Sequence, residues 1–427
     1  MLGHTNMAIV AKTPRVARVP HTVKRPEHCP YCGSAHLSRK GTRRKKLEMV
    51  QIWRCFSCKR TFTPNPLALR NRTYPLRMIL TALTDYDTGY SLRETAARLA
   101  KISGTVSPST VASWLQQYRD HCSYRRLRAR GLSRFPAHLT IRTVKLYHRQ
   151  IYGFAYHRPK LDLLRAASLD DKRKGDMRFA PLADFLENVP GQCPHELFTA
   201  PEAAKARASQ AHLSFADAAR ARVTSRQNAA TDAAALIIPA IGNNKLRHET
   251  LQRFMLANDA ATVAVEVPVW MTAEDIAALR RQYGIELTPG DVEAAVTSHI
   301  DFLQVRNGAI HILDYKPDAR TNKPVAQLTI YALALARLTG IKLFDIKCAW
   351  FNEHEYCEFF PRTLMPRRSA TRWEAAARRD LGPGAVVRGP AKNTVLDEGN
   401  LTRKPNPRRS FRQVSAAPLS YHQRTHS

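Results

Sequence analysis

The stretch HIDFLQVRNGAIHILDYKPD, residues 299 to 318, sets two alternating apolar runs on either side of Asn307-Gly308. Asn-Gly is the strongest short signal for a two-residue type I′ turn, because both central residues must take positive φ. Such a turn fixes the pairing of the flanking strands. Arg306 faces Ala309, and counting outward sets Asp301 opposite Asp314 and His299 opposite Lys316. Alternation then places His299, Asp301, Asp314 and Lys316 on one face with Leu303, Val305, Ile310 and Ile312. Opposed carboxylates repel, more strongly beside apolar neighbours. A divalent cation between them removes the conflict, and hard carboxylate oxygens suit Mg²⁺ or Mn²⁺. Lys316, two residues past Asp314, is placed to orient or help deprotonate an attacking water and to stabilise charge on a phosphorane. A solvated hairpin end would carry the same charges, but the apolar residues sharing the face argue against it.

A second constraint lies near the N-terminus. CPYC (Cys29, Cys32) and CFSC (Cys55, Cys58) are separated by 22 residues. Each CxxC knuckle is a tight turn aiming two sulfurs at one point, and two knuckles complete the tetrahedron of a structural Zn²⁺. With all four ligand places filled by protein, such a zinc has no open position for catalysis. The stretch between the knuckles is expected to form a hairpin whose tip, Arg43, Arg44, Lys45 and Lys46, points toward phosphates. Cys122, Cys193, Cys348 and Cys357 are scattered and read as ordinary thiols.

Helical signals follow from about Pro75 to Tyr118. In SLRETAARLAKISGTVSPSTVASWLQQYRDH, Ser91 and Glu94 form a capping box and Leu92, Ala96 and Leu99 recur at helical spacing. The chain breaks near Gly104, and a second helix starts at Ser107 with Pro108 in its first position. Val111, Trp114, Leu115 and Tyr118 should pack inward. Ser109, Thr110, Ser113, Gln116, Gln117 and Arg119 are left as candidates to face DNA. A plain helical hairpin is the alternative.

Two resemblances follow from these motifs. The four-cysteine stretch with SLRETAARLA and SPSTVASWLQQY resembles the N-terminal DNA-binding half of insertion-sequence transposases, over residues 27 to 120. That implies a zinc ribbon, a helix-turn-helix and recognition of a DNA site such as a transposon end. Asp301 with DYK (Asp314, Lys316) resembles the PD-(D/E)xK nuclease superfamily. In its RecB-like branch a helix carries a Q-x3-Y pattern, matched by Gln327 and Tyr331 of QLTIY, and an upstream helix carries a histidine, best matched by His248. This resemblance spans residues 243 to 361 and implies Mg²⁺ or Mn²⁺ held by Asp301, Asp314 and His248. Glu266 in VAVEVPVW is a further candidate ligand, ranked below the aspartate pair. The lead into Asp301 is "HI" rather than the branch's Gly-rich lead. An iron-sulfur cluster, carried by some members on four cysteines, is not expected here, because Cys193, Cys348 and Cys357 alone flank the region.

Composition supports the same partner. A net charge of +32 attracts polyanions, with nucleic acid foremost, and residues 1 to 72 hold 16 Lys/Arg against Glu27 and Glu48. The longest apolar run, around AAALIIPAIG, is too short and too Pro-interrupted to span a bilayer, so the expected location is the cytoplasm, with the nucleoid if the cell is prokaryotic. The expected fold is multidomain: a basic flexible arm (1–26), a small β zinc ribbon (27–66), an α-helical helix-turn-helix (73–122), an unassigned middle with a helical linker (123–240), a C-terminal α/β restriction-endonuclease-like domain (241–362) and a basic disordered tail (363–427). The whole reads as a metal-dependent deoxyribonuclease of a mobile element or defence system. A transposase with a ribonuclease H-like acidic triad and a non-catalytic DNA-binding regulator are the competing readings.

Overall fold

A computed structural model describes residues 25–365 except 45–48, 64–73, 103, 171–177, 202–204, 214–222, 227, 239–240, 242–243, 289–294 and 322. Most residues of the expected N-terminal arm and of the expected C-terminal tail, with Lys45 and Lys46, lie outside the described residues. The chain is multidomain α/β, with mixed sheets and several helices. Among the described residues no helix is long and apolar enough to cross a membrane.

The cysteine-bearing segment is a three-stranded antiparallel sheet of β1 (Leu37–Arg44), β2 (Met49–Cys55) and β3 (Thr61–Phe62). Its own small core contains Leu37, Trp53, Phe62, Cys29 and Cys55. So few apolar side chains cannot offset the entropy of ordering the segment, which is the usual situation of a fold that needs a metal.

Three helices follow: α1 (Leu76–Thr88), α2 (Leu92–Ile102) and α3 (Pro108–Gln117). The Ser91 hydroxyl accepts from the Glu94 amide while the Glu94 carboxylate accepts from the Ser91 amide, closing the box that starts α2. Ser107 caps α3 through the Thr110 amide, with Pro108 next to it. Val111, Trp114, Leu115 and Tyr118 are buried. The C-terminal end of α1 is locked from outside: Arg128 donates to the carbonyls of Tyr86, Gly89 and Tyr90, and Arg125 pairs with the fully buried Asp87 carboxylate at 2.9 Å. Gly89 takes φ 129 and has Leu132 and Ala137 against the place a Cβ would occupy, so only glycine fits there.

The rest is built on a nine-stranded mixed sheet. In order it runs β4 (Ile141–His148), β5 (Gln150–His157), β8 (Thr262–Met271), β9 (Ala295–Arg306), β10 (Ala309–Tyr315), β11 (Ile346–Phe351), β12 (Tyr356–Phe359) and β7 (Thr224–Arg226), with β6 (Lys205–Arg207) parallel to β9. Both faces are covered, which is why β10 is apolar and buried along almost its whole length. One face carries α4 (Arg158–Asp170), α5 (Ala180–Gln192) and α10 (Val325–Thr339). The other carries α1–α3, α7 (Ala229–Ile237) and α8 (Asn244–Asn258).

Two boundaries drawn from the sequence are therefore crossed. The middle region contributes β4, β5, β6 and β7 to the same sheet as the C-terminal strands, with Ala155 paired to Val265. Its strands were hidden among Tyr, His and Arg, although Leu146, Phe154 and Tyr156 of this hairpin are buried in the core. The α1–α3 trio shares one core with the sheet, where Leu83, Phe254, Phe302 and Phe351 belong to a single buried cluster.

Candidate metal centre and cleft

The Asn307-Gly308 turn has φ 51 and 68, and β9 and β10 pair from Arg306↔Ala309 to Phe302↔Leu313 in the register counted from the sequence. Asp301 and Asp314 come next, close enough that the charge of Asp301 bears on Asp314. His299 and Lys316 do not continue the pattern. The β8–β9 pair changes layer here: Val267 and Ile300 pack in one core, while Val265 and Phe302 pack in the other. Between them Glu266 takes φ 50, a left-handed conformation that costs a non-glycine residue about 1–3 kcal/mol. This kink turns Glu266 toward Asp301 and sends His299 elsewhere, into contact with His148 and Tyr152. Strict alternation could not foresee it.

The cluster gathers from four elements. His248 and Gln252, one turn apart on α8, reach β8 and β9: the His248 ring is 3.1 Å from Asp301, and Gln252 donates to Glu266 at 2.7 Å. Donor atoms of His248, Glu266 and Asp301 lie within 4.8 Å of one another, close enough to share a metal ion. The Tyr315 amide donates to Asp301 at 3.2 Å, and Lys316 pairs with Asp314 at 2.9 Å. Lys316 is itself tied to β11 through its amide and the Phe351 carbonyl. On α10, Gln327 donates to the Tyr331 hydroxyl at 2.6 Å, which also bonds Ser298 at 3.0 Å. Glu266 thus stands closer to the centre than its rank beside the aspartates implied. Gln252 was missed, although its i, i+4 spacing from His248 was visible.

Charge is divided unequally. Burial and the Asp301 charge push Glu266 up to about 7. Burial would do the same to Asp301, but the His248 ring beside it prevails and lowers it to about 2. Burial opposes a charged His248, yet Asp301 raises it to about 9. Asp314 is raised by burial and by Asp301, with Lys316 opposing. The three groups thus share their protons unequally: the pair favours a charged His248 beside an ionised Asp301, while Asp314 is driven toward its neutral form.

These groups border a cleft of about 1090 Å³. Arg98, Lys145, Arg149, Arg207 and Arg253 line it, as do Glu266, Asp301, Gln327 and Tyr331. Asp314 and Lys316 are outside its lining, joined to it through Asp301 on the neighbouring strand.

The other sequence candidates fall in separate places. The four cysteines converge, with Cys29 and Cys58 sulfurs 3.6 Å apart and Cys32 and Cys55 likewise, and the cluster could bind a metal such as zinc. Arg43 is exposed and Arg44 ends β1. On α3 Ser109, Ser113 and Gln117 are exposed and Thr110 is half-buried, partly occupied by the Ser107 cap. Arg119 is exposed beside Asp120.

Compared with known proteins, the chain matches no family model, no curated protein and no solved structure.

Proposed function

We propose that this protein is a DNA-binding nuclease that hydrolyses phosphodiester bonds with Mg²⁺ or Mn²⁺, of the RecB-like PD-(D/E)xK kind. The observation that carries the reading is the convergence of His248, Glu266 and Asp301 at a cleft with basic walls, with Asp314, paired to Lys316, on the neighbouring strand. Asp301, Asp314, Glu266 and His248 would hold the ion. Three carboxylates and one imidazole suit Mn²⁺ and Mg²⁺ better than softer metals. When bound, the ion supplies Lewis-acid activation of a water and of the phosphate.

The chain's own groups do the rest. Lys316 compensates the Asp314 charge and offers an ammonium to the developing phosphorane oxygens. Gln252 holds Glu266, and the Tyr315 amide holds Asp301, so the carboxylates keep their orientation when the phosphate approaches. The Gln327–Tyr331–Ser298 chain stiffens the neighbouring wall. Arg98, Lys145, Arg149, Arg207 and Arg253 are suited to the sugar-phosphate backbone, which carries affinity but no sequence information. In this reading the cysteine cluster holds a structural zinc in a ribbon, α2–α3 form a helix-turn-helix, and both contribute to the choice of DNA site.

The test is cleavage of linear and supercoiled DNA with Mg²⁺ or Mn²⁺ by the intact protein, by Asp314→Ala and by the Cys29→Ser, Cys32→Ser double variant. The expected result is cutting that Asp314→Ala abolishes, while the cysteine variant loses affinity or site choice. DNA binding without metal-dependent cutting on any substrate would replace the nuclease with a DNA-binding regulator.

A further inference from the structure

A third group of side chains at metal-binding spacing includes His148, which borders the same cleft. His148 ends β4, Cys193 caps the C-terminal end of α5, and His195 opens a short helix, α6 (His195–Thr199). Donor atoms of His148, Cys193 and His195 lie within 4.8 Å of one another. His148 and Cys193 are buried and His195 is exposed. The His148 Nε2 is 2.9 Å from His195 Nδ1, while its Nδ1 is 2.9 Å from His299 Nε2. His148 is further fixed by stacking on Phe198 at 4.1 Å, and His299 by stacking on Tyr152 at 3.6 Å.

We propose that His148, Cys193 and His195 bind a Zn²⁺ ion that fastens the β4–β5 hairpin, one wall of the cleft, to the α5–α6 corner. One thiolate and two imidazoles are a borderline-soft donor set that suits zinc and not Mg²⁺, so this centre and the carboxylate centre select different metals. His148 coordinates through Nε2 and donates its Nδ1 hydrogen to His299, as a metal-bound histidine does to the acceptor that sets its tautomer. His299 is thus a positioning residue. The Cys193 thiol releases its proton to solvent on coordination. Three protein ligands would leave one position of a four-coordinate zinc for water. His299 is two residues before Asp301 on β9, so the two centres share a strand while their side chains part at the Glu266 kink.

The alternative is a chain of hydrogen-bonded neutral imidazoles that binds nothing. Zinc content of the intact chain, of His195→Ala and of Cys193→Ser, each loaded with Zn²⁺ and freed of excess, separates the two. We expect each variant to hold one equivalent fewer than the intact protein. The Cys29→Ser, Cys32→Ser variant should keep this equivalent and, with Co²⁺ in its place, show a single-thiolate charge-transfer band. Zinc should also slow amide exchange in residues 141–157 of the intact protein and not of His195→Ala. Equal zinc content in the intact protein and His195→Ala, or loss of all zinc in the double cysteine variant, overturns the proposal. Because His195 is exposed, His195→Ala decides the matter if Cys193→Ser fails to fold. None of these readouts depends on DNA cleavage.

Discussion

The cysteine cluster and the carboxylate cluster reach a metal-sized spacing by opposite routes. Cys29, Cys32, Cys55 and Cys58 come from two knuckles on a small sheet with its own core, and little else in the chain bears on their geometry. His248, Glu266, Asp301 and Asp314 come from a helix and three strands, and α8 keeps its place only because it packs between α1 and the large sheet. The first arrangement is made by local turns; the second is as firm as the surrounding core.

That contrast can be broken by experiment. The largest effect should come from Arg125→Ala, far from either cluster. It leaves the buried Asp87 carboxylate without its partner, which costs about 3–5 kcal/mol. The main urea transition should fall by that amount while metal at the four cysteines is unaffected; a common loss of both would show that the two regions fold as one. Next, Asp301→Asn should reduce metal-dependent cleavage on the order of 10²- to 10³-fold at saturating DNA, measured as single-turnover rate, with DNA affinity unchanged.

Smaller effects sharpen the comparison. Gln252→Ala frees Glu266 and should weaken Mn²⁺ binding about 10- to 100-fold by calorimetry, with zinc at the cysteines unchanged. Metal affinity at the carboxylates should also follow pH. His248 is raised to about 9 and must lose its proton to coordinate, so affinity should climb about tenfold per pH unit toward pH 9 and level off above it. The sign for stability is the reverse: the raised His248 stabilises the metal-free fold below pH 6.5, and that contribution fades as pH rises through 9. His248→Gln should flatten the metal profile.

Legibility in the sequence follows the same division. Both knuckles, the Ser91–Glu94 box, the Ser107 cap and the Asn307-Gly308 register could be read because each depends on residues a few positions apart. Asp301 and Asp314 came with the register, whereas Gln327 and Tyr331 came only with the resemblance to the RecB-like pattern. The place of Glu266 could not be read, because a left-handed residue inside a strand leaves no mark in the alternation. Nor could the reach of the sheet into residues 141–157: strands with a Tyr- and His-rich pattern look like surface when nothing says which edge they complete.

The core shared by α1–α3 and the sheet bears on how such a chain can change over time. A recombination joint between residues 118 and 141 would strip Leu83, Trp114 and Phe254 of neighbours and leave two halves that each expose apolar surface. Exchange of whole modules is therefore closed to this part of the molecule. Drift at Ser109 and Ser113 of α3 remains open, since both side chains are exposed.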